Sequence, residues 1–540
     1  MPSKCLCLST GMLLLMITGV FADDPLIFEP PIRTQQNGNV ESAPNVIATT
    51  PEVELRQEKS NAPPSLKNEQ EQTEPEQVFK APANPKPWKG LFFDNDFSYK
   101  NDPHHTHLFG EAFKDISIFA DVCDGCSDWW VSFGGELRFR HMNEDNRLRP
   151  GGPGKSTYDL WRWRNYLDVH YTDRFRLYIE LLDASIFNQE LPITPIDLNR
   201  WNIQNAFVDI AFGERDGNPL IFRAGRFELL FGSQRLVSPL NWSNTRRNFE
   251  GFQVISKGST WDFDLFTSRP VNTGAGNGPL SRFNNEADRA DASRTFNGAY
   301  TTYHGFENQT FDFYWLWLRE QEERANVKDG SRHTIGARWG GTHTIFNESG
   351  EIQRTYSWDI EGGYQFGHEA NKTVKAGFFT AILGHTWDQR TWKPKLSAVY
   401  YWGSGDRNPN DNEDNTFSVL FPLGHAYWGL IDNLSGQNLN DYSLQMLVHP
   451  TKKMSFLTAM HWFDLDRNTD FLYNVAGVPV GKIGSGTDVG EEFDMVLTYN
   501  FNPNFTVQAG YLWFWYGAFV ENSLPRPDAN QFYLQSILRY

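Results

Sequence analysis

From Val131 to Tyr540, apolar and polar side chains alternate with a period of two in one segment after another. In the first segment Val131, Phe133, Gly135, Leu137 and Phe139 fall on one face, and Ser132, Glu136, Arg138 and Arg140 on the other. Trp161 to Thr172 repeats this, with Trp161, Trp163, Leu167, Val169 and Tyr171 against Arg162, Arg164, Asp168 and His170. After a tight turn at Thr172-Asp173, Phe175, Leu177, Ile179 and Leu181 oppose Arg174, Arg176, Tyr178 and Glu180. Successive side chains of a strand point to opposite faces, so each segment reads as a strand with one apolar and one polar side. Further candidates lie at 202–212, 220–230, 251–257, 261–270, 298–306, 310–320, 332–341, 358–367, 374–384 and 394–404. Others follow at 440–449, 454–464, 491–502, 505–516 and 529–540. The total is about eighteen strands, each roughly as long as a tilted strand must be to cross a bilayer.

The connections alternate in length. Short links occur at Thr172-Asp173, Lys257–Thr260, Glu307–Gln309, His449–Lys453 and Phe501–Asn504, and long ones at 143–160, 186–200, 231–250, 270–297, 405–439 and 465–490. Transmembrane barrels have short periplasmic turns and long extracellular loops. Counted from a periplasmic N-terminus, every long link falls outside, and 342–357 is the one connection that is long on the inner side. The chain has 19 Trp, 20 Tyr and 42 Phe, yet its mean hydropathy is only -0.53. A barrel reconciles the two, because half its strand residues face water while aromatic girdles mark its lipid face. The expected fold is all-β, a transmembrane antiparallel β-barrel over 130–540. The net charge of -17 argues against nucleic acid as a partner.

The N-terminal part reads differently. Lys4, the apolar run Met12–Val20 and the small-residue site Val20-Phe21-Ala22 make residues 1–22 a secretory signal, too short to span a membrane. Residues 23–86, rich in Pro, Glu, Asn and Gln, are a disordered periplasmic linker. Residues 87–129 carry the aromatic run WKGLFFDNDFSY and form a segment that docks onto or into the barrel mouth, with one short helix over His107–Ile118. Cys123 and Cys126 read first as a local disulfide, second as an idle thiol pair and third as a metal site. The histidines at 104, 105 and 107 lie in an irregular stretch, and neither a metal nor a cofactor is expected.

Charge is concentrated in RAGRFELLFGSQRLVSPLNWSNTRRNFEGFQV, residues 223–254, with Arg223, Arg226, Arg235, Arg246 and Arg247. Guanidinium groups bind carboxylates in bidentate fashion and stay charged at any relevant pH, so the stretch suits an oxyanion site. The plainer alternative pairs them with Glu228 and Glu250. Arg223 and Arg226 have opposite parity, so strict alternation turns one of them to lipid. On the first three strands the pairs 138/140, 162/164 and 174/176 form a basic ladder on the polar face, spaced by Glu136, Asp168 and Glu180. That ladder is either a transport path of weak repeated contacts or a set of structural charge pairs. Arg338 completes the candidate pore-lining set.

GRFELLFGSQRLVSPLNWSNTRRNFEG, 225–251, resembles the alginate-export porins of Gram-negative bacteria through Gly225-Arg226, Gly232-Ser233-Gln234-Arg235, Trp242, Asn244, Arg247, Phe249 and Gly251. FPLGHAYWGLIDNLSGQNLNDYSLQML, 421–447, resembles the same family through His425, Tyr427, Gly429, Asp432, Asn438, Leu439 and Asp441, with HWFDL following at 461–465. The resemblance implies an eighteen-stranded outer-membrane barrel whose arginine-rich channel exports an anionic polysaccharide. An uptake porin for small anions or acidic oligosaccharides is the alternative. The partners are then that polysaccharide or oligosaccharide, outer-membrane lipid, the barrel assembly machinery, which reads terminal strands such as ANQFYLQSILRY, and a periplasmic export protein. An enzyme is not expected: GxSxG is absent, and His461 with Asp464 is only an isolated pair. The Asp-rich 406–414 lacks EF-hand spacing and reads as a solvated loop, and the aromatic run 511–516 as a membrane girdle.

Overall fold

The computed structural model describes residues 86–118, 128–150, 152–273, 287–321 and 329–540. The signal sequence, nearly all of the linker, and the Cys123/Cys126 pair lie outside the described residues. Eighteen antiparallel strands form a closed barrel. They are β1 (Trp129–Asp145), β2 (Lys155–Tyr171), β3 (Phe175–Phe187), β4 (Asn199–Arg215), β5 (Asn218–Phe227), β6 (Phe249–Ser256), β7 (Trp261–Asn272), β8 (Arg294–Tyr303) and β9 (Gln309–Glu320). The second half comprises β10 (Gly330–Phe346), β11 (Ile352–Glu369), β12 (Lys372–Thr386), β13 (Lys395–Gly403), β14 (Leu439–Thr451), β15 (Met454–Leu465), β16 (Asp488–Asn502), β17 (Phe505–Tyr516) and β18 (Ala529–Arg539). Each pairs with its sequence neighbour, and β18 closes on β1 from Glu136↔Arg539 to Asp145↔Asn530. Closure removes the free edges of the sheet, apart from the start of β1, which lies before its first rung to β18.

All eighteen strand positions expected from the alternation are occupied by strands. The connection at 342–357 is not long: β10 runs on to Phe346 and β11 starts at Ile352, so only 347–351 turn the chain. Hydrophobic periodicity marks a strand's middle, whereas its ends project beyond the apolar belt and lose the pattern. Asp216-Gly217, both at positive φ, form the two-residue turn between β4 and β5, a conformation that right-twisted hairpins favour.

The faces sort as the alternation requires. Phe133, Leu137, Trp161, Trp163, Leu167 and Leu181 are exposed on the outside, as are Tyr511 and Trp515 of the aromatic run, while Glu136, Arg138, Arg140, Arg162, Arg164 and Glu180 are buried inside. An outer surface this apolar has only lipid to face.

Ion pairs cross the inner wall between adjacent strands. Arg162 Nη2 donates to Glu136 Oε1 at 2.6 Å, Arg164 Nε to Glu180 Oε1 at 2.6 Å, and Arg176 Nη2 to Asp168 Oδ2 at 2.7 Å. Arg223 and Asp209 form a fork with both contacts under 3 Å, at 2.7 and 2.8 Å. Farther round, Arg338 bridges Asp312 at 2.8 Å and Asp359 at 2.7 Å. Removing one partner of such a buried pair strands the other, at about 3–5 kcal/mol, whereas replacing both with apolar groups is often neutral. Arg162→Glu is therefore expected to lower the barrel's melting temperature markedly, by circular dichroism and by loss of the compact band on unheated gels. The double variant Arg162→Met/Glu136→Leu should recover most of the loss.

Candidate channel interior

Two loops from the same end of the barrel turn inward and meet in the lumen. One is 228–248, between β5 and β6; the other is the 415–437 part of the β13–β14 connection. Their backbones bond directly: Ser238 N–H donates to Phe421 O and Phe421 N–H to Leu236 O, each at 2.9 Å. Trp242 stacks on His425 at 3.7 Å, and its indole N–H donates to Asp432 at 2.7 Å. The Asp432 carboxylate also meets His425 Nδ1 at 3.1 Å. The two stretches that carry the family resemblance are thus one packed unit. Glycine is needed at two of its turns: Gly232 (φ 49°) lies against the Tyr300 hydroxyl and Gly429 (φ 85°) against the Glu492 carboxylate, so a Cβ at either position would collide with them.

The wall arginines hold this unit in place. Arg138 donates to the Asn241 and Ser243 carbonyls at 2.9 and 2.6 Å, and Arg162 to the same two carbonyls at 3.0 Å. Arg140 donates to Trp242 O at 2.8 Å and lies 3.6 Å over the Trp242 ring. Within the loop, Arg246 pairs with Glu228 (Nη2 to Oε2, 3.0 Å), and Arg235 reaches Asp359 on the opposite wall at 2.9 Å.

From the other end the N-terminal segment enters, with Leu91, Phe92, Phe93, Phe97 and Tyr99 buried in the lumen and Phe109, Phe113 and Ile116 exposed at its rim. Phe93 packs edge-on against Tyr178 and Phe207 at 5.6 and 5.2 Å, and Phe92 against Tyr166 at 5.9 Å. Arg164 lies 3.9 Å over Phe92, and Arg176 donates to Phe93 O at 2.7 Å. Arg246 donates to Gly90 O at 3.1 Å, so this segment touches the infolded loop as well. The expected helix over His107–Ile118 does not form. Only a 3-10 turn at Glu111–Phe113 does, and Ile116–Ser117 instead pair with Val131 and Trp130 at the free start of β1, a helix this short being marginal by itself.

Two members of the candidate set do not line the lumen. Arg226 is on the outer face, where Nε donates to Glu250 at 2.9 Å; Arg223 is the inward one of that pair. Arg174 is exposed in the Thr172–Arg174 turn, because β2 ends at Tyr171 and β3 begins only at Phe175, so strand parity no longer applies to it. The rest divide by partner. Arg162, Arg164, Arg176, Arg235, Arg246 and Arg338 each have a carboxylate, while Arg138, Arg140 and Arg247 have none within ion-pair distance among the described residues. Arg247 donates only to Ser238 O at 3.0 Å and Pro422 O at 3.3 Å, and burial lowers its pKa to about 10, still fully charged near neutrality.

Sequence reasoning missed the acidic side of the interior. His461 bonds to Asp441 at 2.9 Å with Asp494 3.9 Å away, beside a cavity that His425, Tyr427 and Leu430 also line. Asp464, the neighbour considered for His461, has opposite parity and lies on the outer face. The period-two rule alone would have put Asp441, His461, Glu492 and Asp494 on one surface.

None of the curated proteins matches the chain in sequence. Among solved structures, the outer membrane protein opdK from Pseudomonas aeruginosa aligns over 76% of this chain and 98% of its own, at 11% identity and a TM-score of 0.52, a likeness of fold. OccK5 (OpdH) from the same organism covers 76% of this chain and 98% of its own at 13% identity, with a TM-score of 0.49. The sequence model of the family described as alginate export matches residues 129–533, the whole barrel but its last few residues. With its lipid-facing wall, its polar lumen and that match, the chain is an outer-membrane β-barrel channel and belongs to the alginate export family.

Proposed function

We propose that the channel exports an anionic polysaccharide, an alginate-like polyuronate, and that its N-terminus and short turns lie in the periplasm. The observation that carries this reading is the trio Arg138, Arg140 and Arg247, guanidinium groups gathered around the infolded loop that have no carboxylate within ion-pair distance among the described residues. Each is held by neutral hydrogen-bond acceptors, so no salt bridge offsets its charge, and a passing polyanion would supply the counter-charge. Several single guanidinium groups along a path give the repeated contacts by which a polymer is handed on. The six carboxylate-paired arginines serve the wall and the loop instead, so reversing their charges would test stability before transport.

A second reading, uptake of small anions or acidic oligosaccharides, is favoured by how full the lumen is. The first part of the N-terminal segment meets the infolded loop inside, at Gly90, so a polymer needs that segment to move aside, whereas a small solute needs only a narrow path.

Bilayer recording in a salt gradient should give an anion-selective reversal potential and a current reduced by added polyuronate. Arg247→Gln is expected to weaken that block several-fold while the barrel still assembles. Deleting 86–117 should raise conductance several-fold and open the lumen to the polymer. An intact channel that passes small anions freely, with no polyuronate block even after the deletion, would favour uptake.

The orientation has its own test. An epitope at 408–411, an exposed loop tip, should be reached by antibody on intact cells, and one between Lys452 and Lys453 only after permeabilisation. The reverse pattern would invert the barrel.

A further inference from the structure

Between the part of the N-terminal segment inside the lumen and the part anchored on the rim, the chain makes a turn at 102–111. The anchoring side is well defined. Asn504 Nδ2 donates to Phe109 O at 2.9 Å, Lys114 Nζ to Tyr540 O at 3.1 Å, and Ile116–Ser117 pair with β1. In this turn His105, His107 and Glu111 converge. One nitrogen of each imidazole and one carboxylate oxygen all lie within 4.8 Å of one another.

The remaining polar atoms of two of these side chains are already committed. His105 Nδ1 is 2.6 Å from Asp102 O, and since a carbonyl only accepts, that nitrogen carries the proton. Glu111 Oε2 accepts from Leu108 N–H at 2.8 Å and from the Tyr99 hydroxyl at 3.3 Å. What is left is the His105 Nε2 lone pair, 3.2 Å from Glu111 Oε1, with His107 Nδ1 in close contact with the same oxygen. The His105 Nε2 lone pair and the Glu111 oxygen repel unless a proton or a metal ion lies between them, while His107 Nδ1 can meet that oxygen through its own N–H or, deprotonated, offer a third donor atom. A proton can serve one such pair, whereas a metal ion serves all three atoms together. Zinc binds imidazole nitrogen at about 2.0–2.1 Å and carboxylate oxygen at about 2.0–2.2 Å, so adjacent tetrahedral donors sit roughly 3.3 Å apart, close to the His105–Glu111 spacing.

We propose that His105, His107 and Glu111 bind one divalent transition-metal ion, with Zn2+ the best match, and that the ion fastens the N-terminal segment to the barrel rim. Two imidazoles and one carboxylate suit zinc, cobalt, nickel or copper rather than calcium or magnesium, which take oxygen ligands. The Asp102 carbonyl is the outer partner that orients a metal-bound imidazole. The His107 side chain is 80% exposed, which leaves a coordination position open to water. This site is independent of what the channel carries.

The test uses the full chain in detergent, stripped with EDTA and titrated with Co2+ by visible absorbance, then with Zn2+ by displacement. One equivalent should bind, and affinity should fall at least tenfold in His105→Ala and in Glu111→Gln. His107→Ala should behave alike, and because that side chain is exposed the variant keeps its fold, checked by the compact band on unheated gels. A Cys123→Ser/Cys126→Ser variant should retain binding. Zn2+ should also slow trypsin cleavage after Lys100 several-fold, and not in the His107→Ala protein. No saturable binding, equal affinity in the three ligand variants, or loss in the cysteine variant would overturn the site. Binding without slower cleavage would overturn the fastening.

Discussion

Across the hydrocarbon a closed barrel has only one place for charge, its interior, and outward ionic groups such as Arg226, Glu250 and Asp464 stand next to their strand ends. Backbone groups are satisfied by strand pairing all the way round, and the outer side chains meet hydrocarbon, so ionisable groups must gather within the lumen at close quarters. There they are largely out of water, and an unpaired charge is costly. The paired arginines of β2, β3, β5 and β10 are the direct result: each lies across from a carboxylate on a neighbouring strand, and the wall is tied by charge as well as by its hydrogen-bond ladder.

The same constraint explains why the infolded loops stay in. A polypeptide loop in a lumen brings carbonyls that need donors, and the wall brings guanidinium groups that have five N–H bonds each. Arg138, Arg140 and Arg162 spend theirs on Asn241, Trp242 and Ser243, which fixes the position of the loop and of Trp242 over His425. The N-terminal segment uses a second kind of complement, aromatic rings slotted under Arg164 and Arg223. Both devices fill much of the lumen, so passage of a polymer, unlike that of a small solute, would require one of the inner segments to move. The His105, His107 and Glu111 cluster lies at the joint where such a movement would start.

Where the sequence misled, it did so at the limits of the alternation rule. Arg174 looks like a ladder member by spacing but is in a turn, and Arg226, counted in the pore-lining set, is the member of its opposite-parity pair that faces outward beside Glu250. The bland pairing of loop arginines with Glu228 and Glu250 is realised for Arg246 and Arg226. For Arg247 it is not, and no residue pattern distinguishes the two adjacent arginines. The histidines at 105 and 107 looked idle because their third partner, Glu111, is brought round by a turn that has no repeating signal.

The sequence by itself determined the barrel, its strand number, the sides of its wall and the membrane it suits. A period-two pattern is local, and one face of it must meet lipid, so it is written in every strand separately. Only the tertiary structure decided which charge each arginine meets and what fills the lumen. Those contacts join residues far apart in the chain, Arg140 with Gln535 or Arg235 with Asp359, and depend on barrel closure and on loops that fold back inside. Alternation fixes the side of the wall to which a side chain points; it carries no information about the height or the partner it meets there.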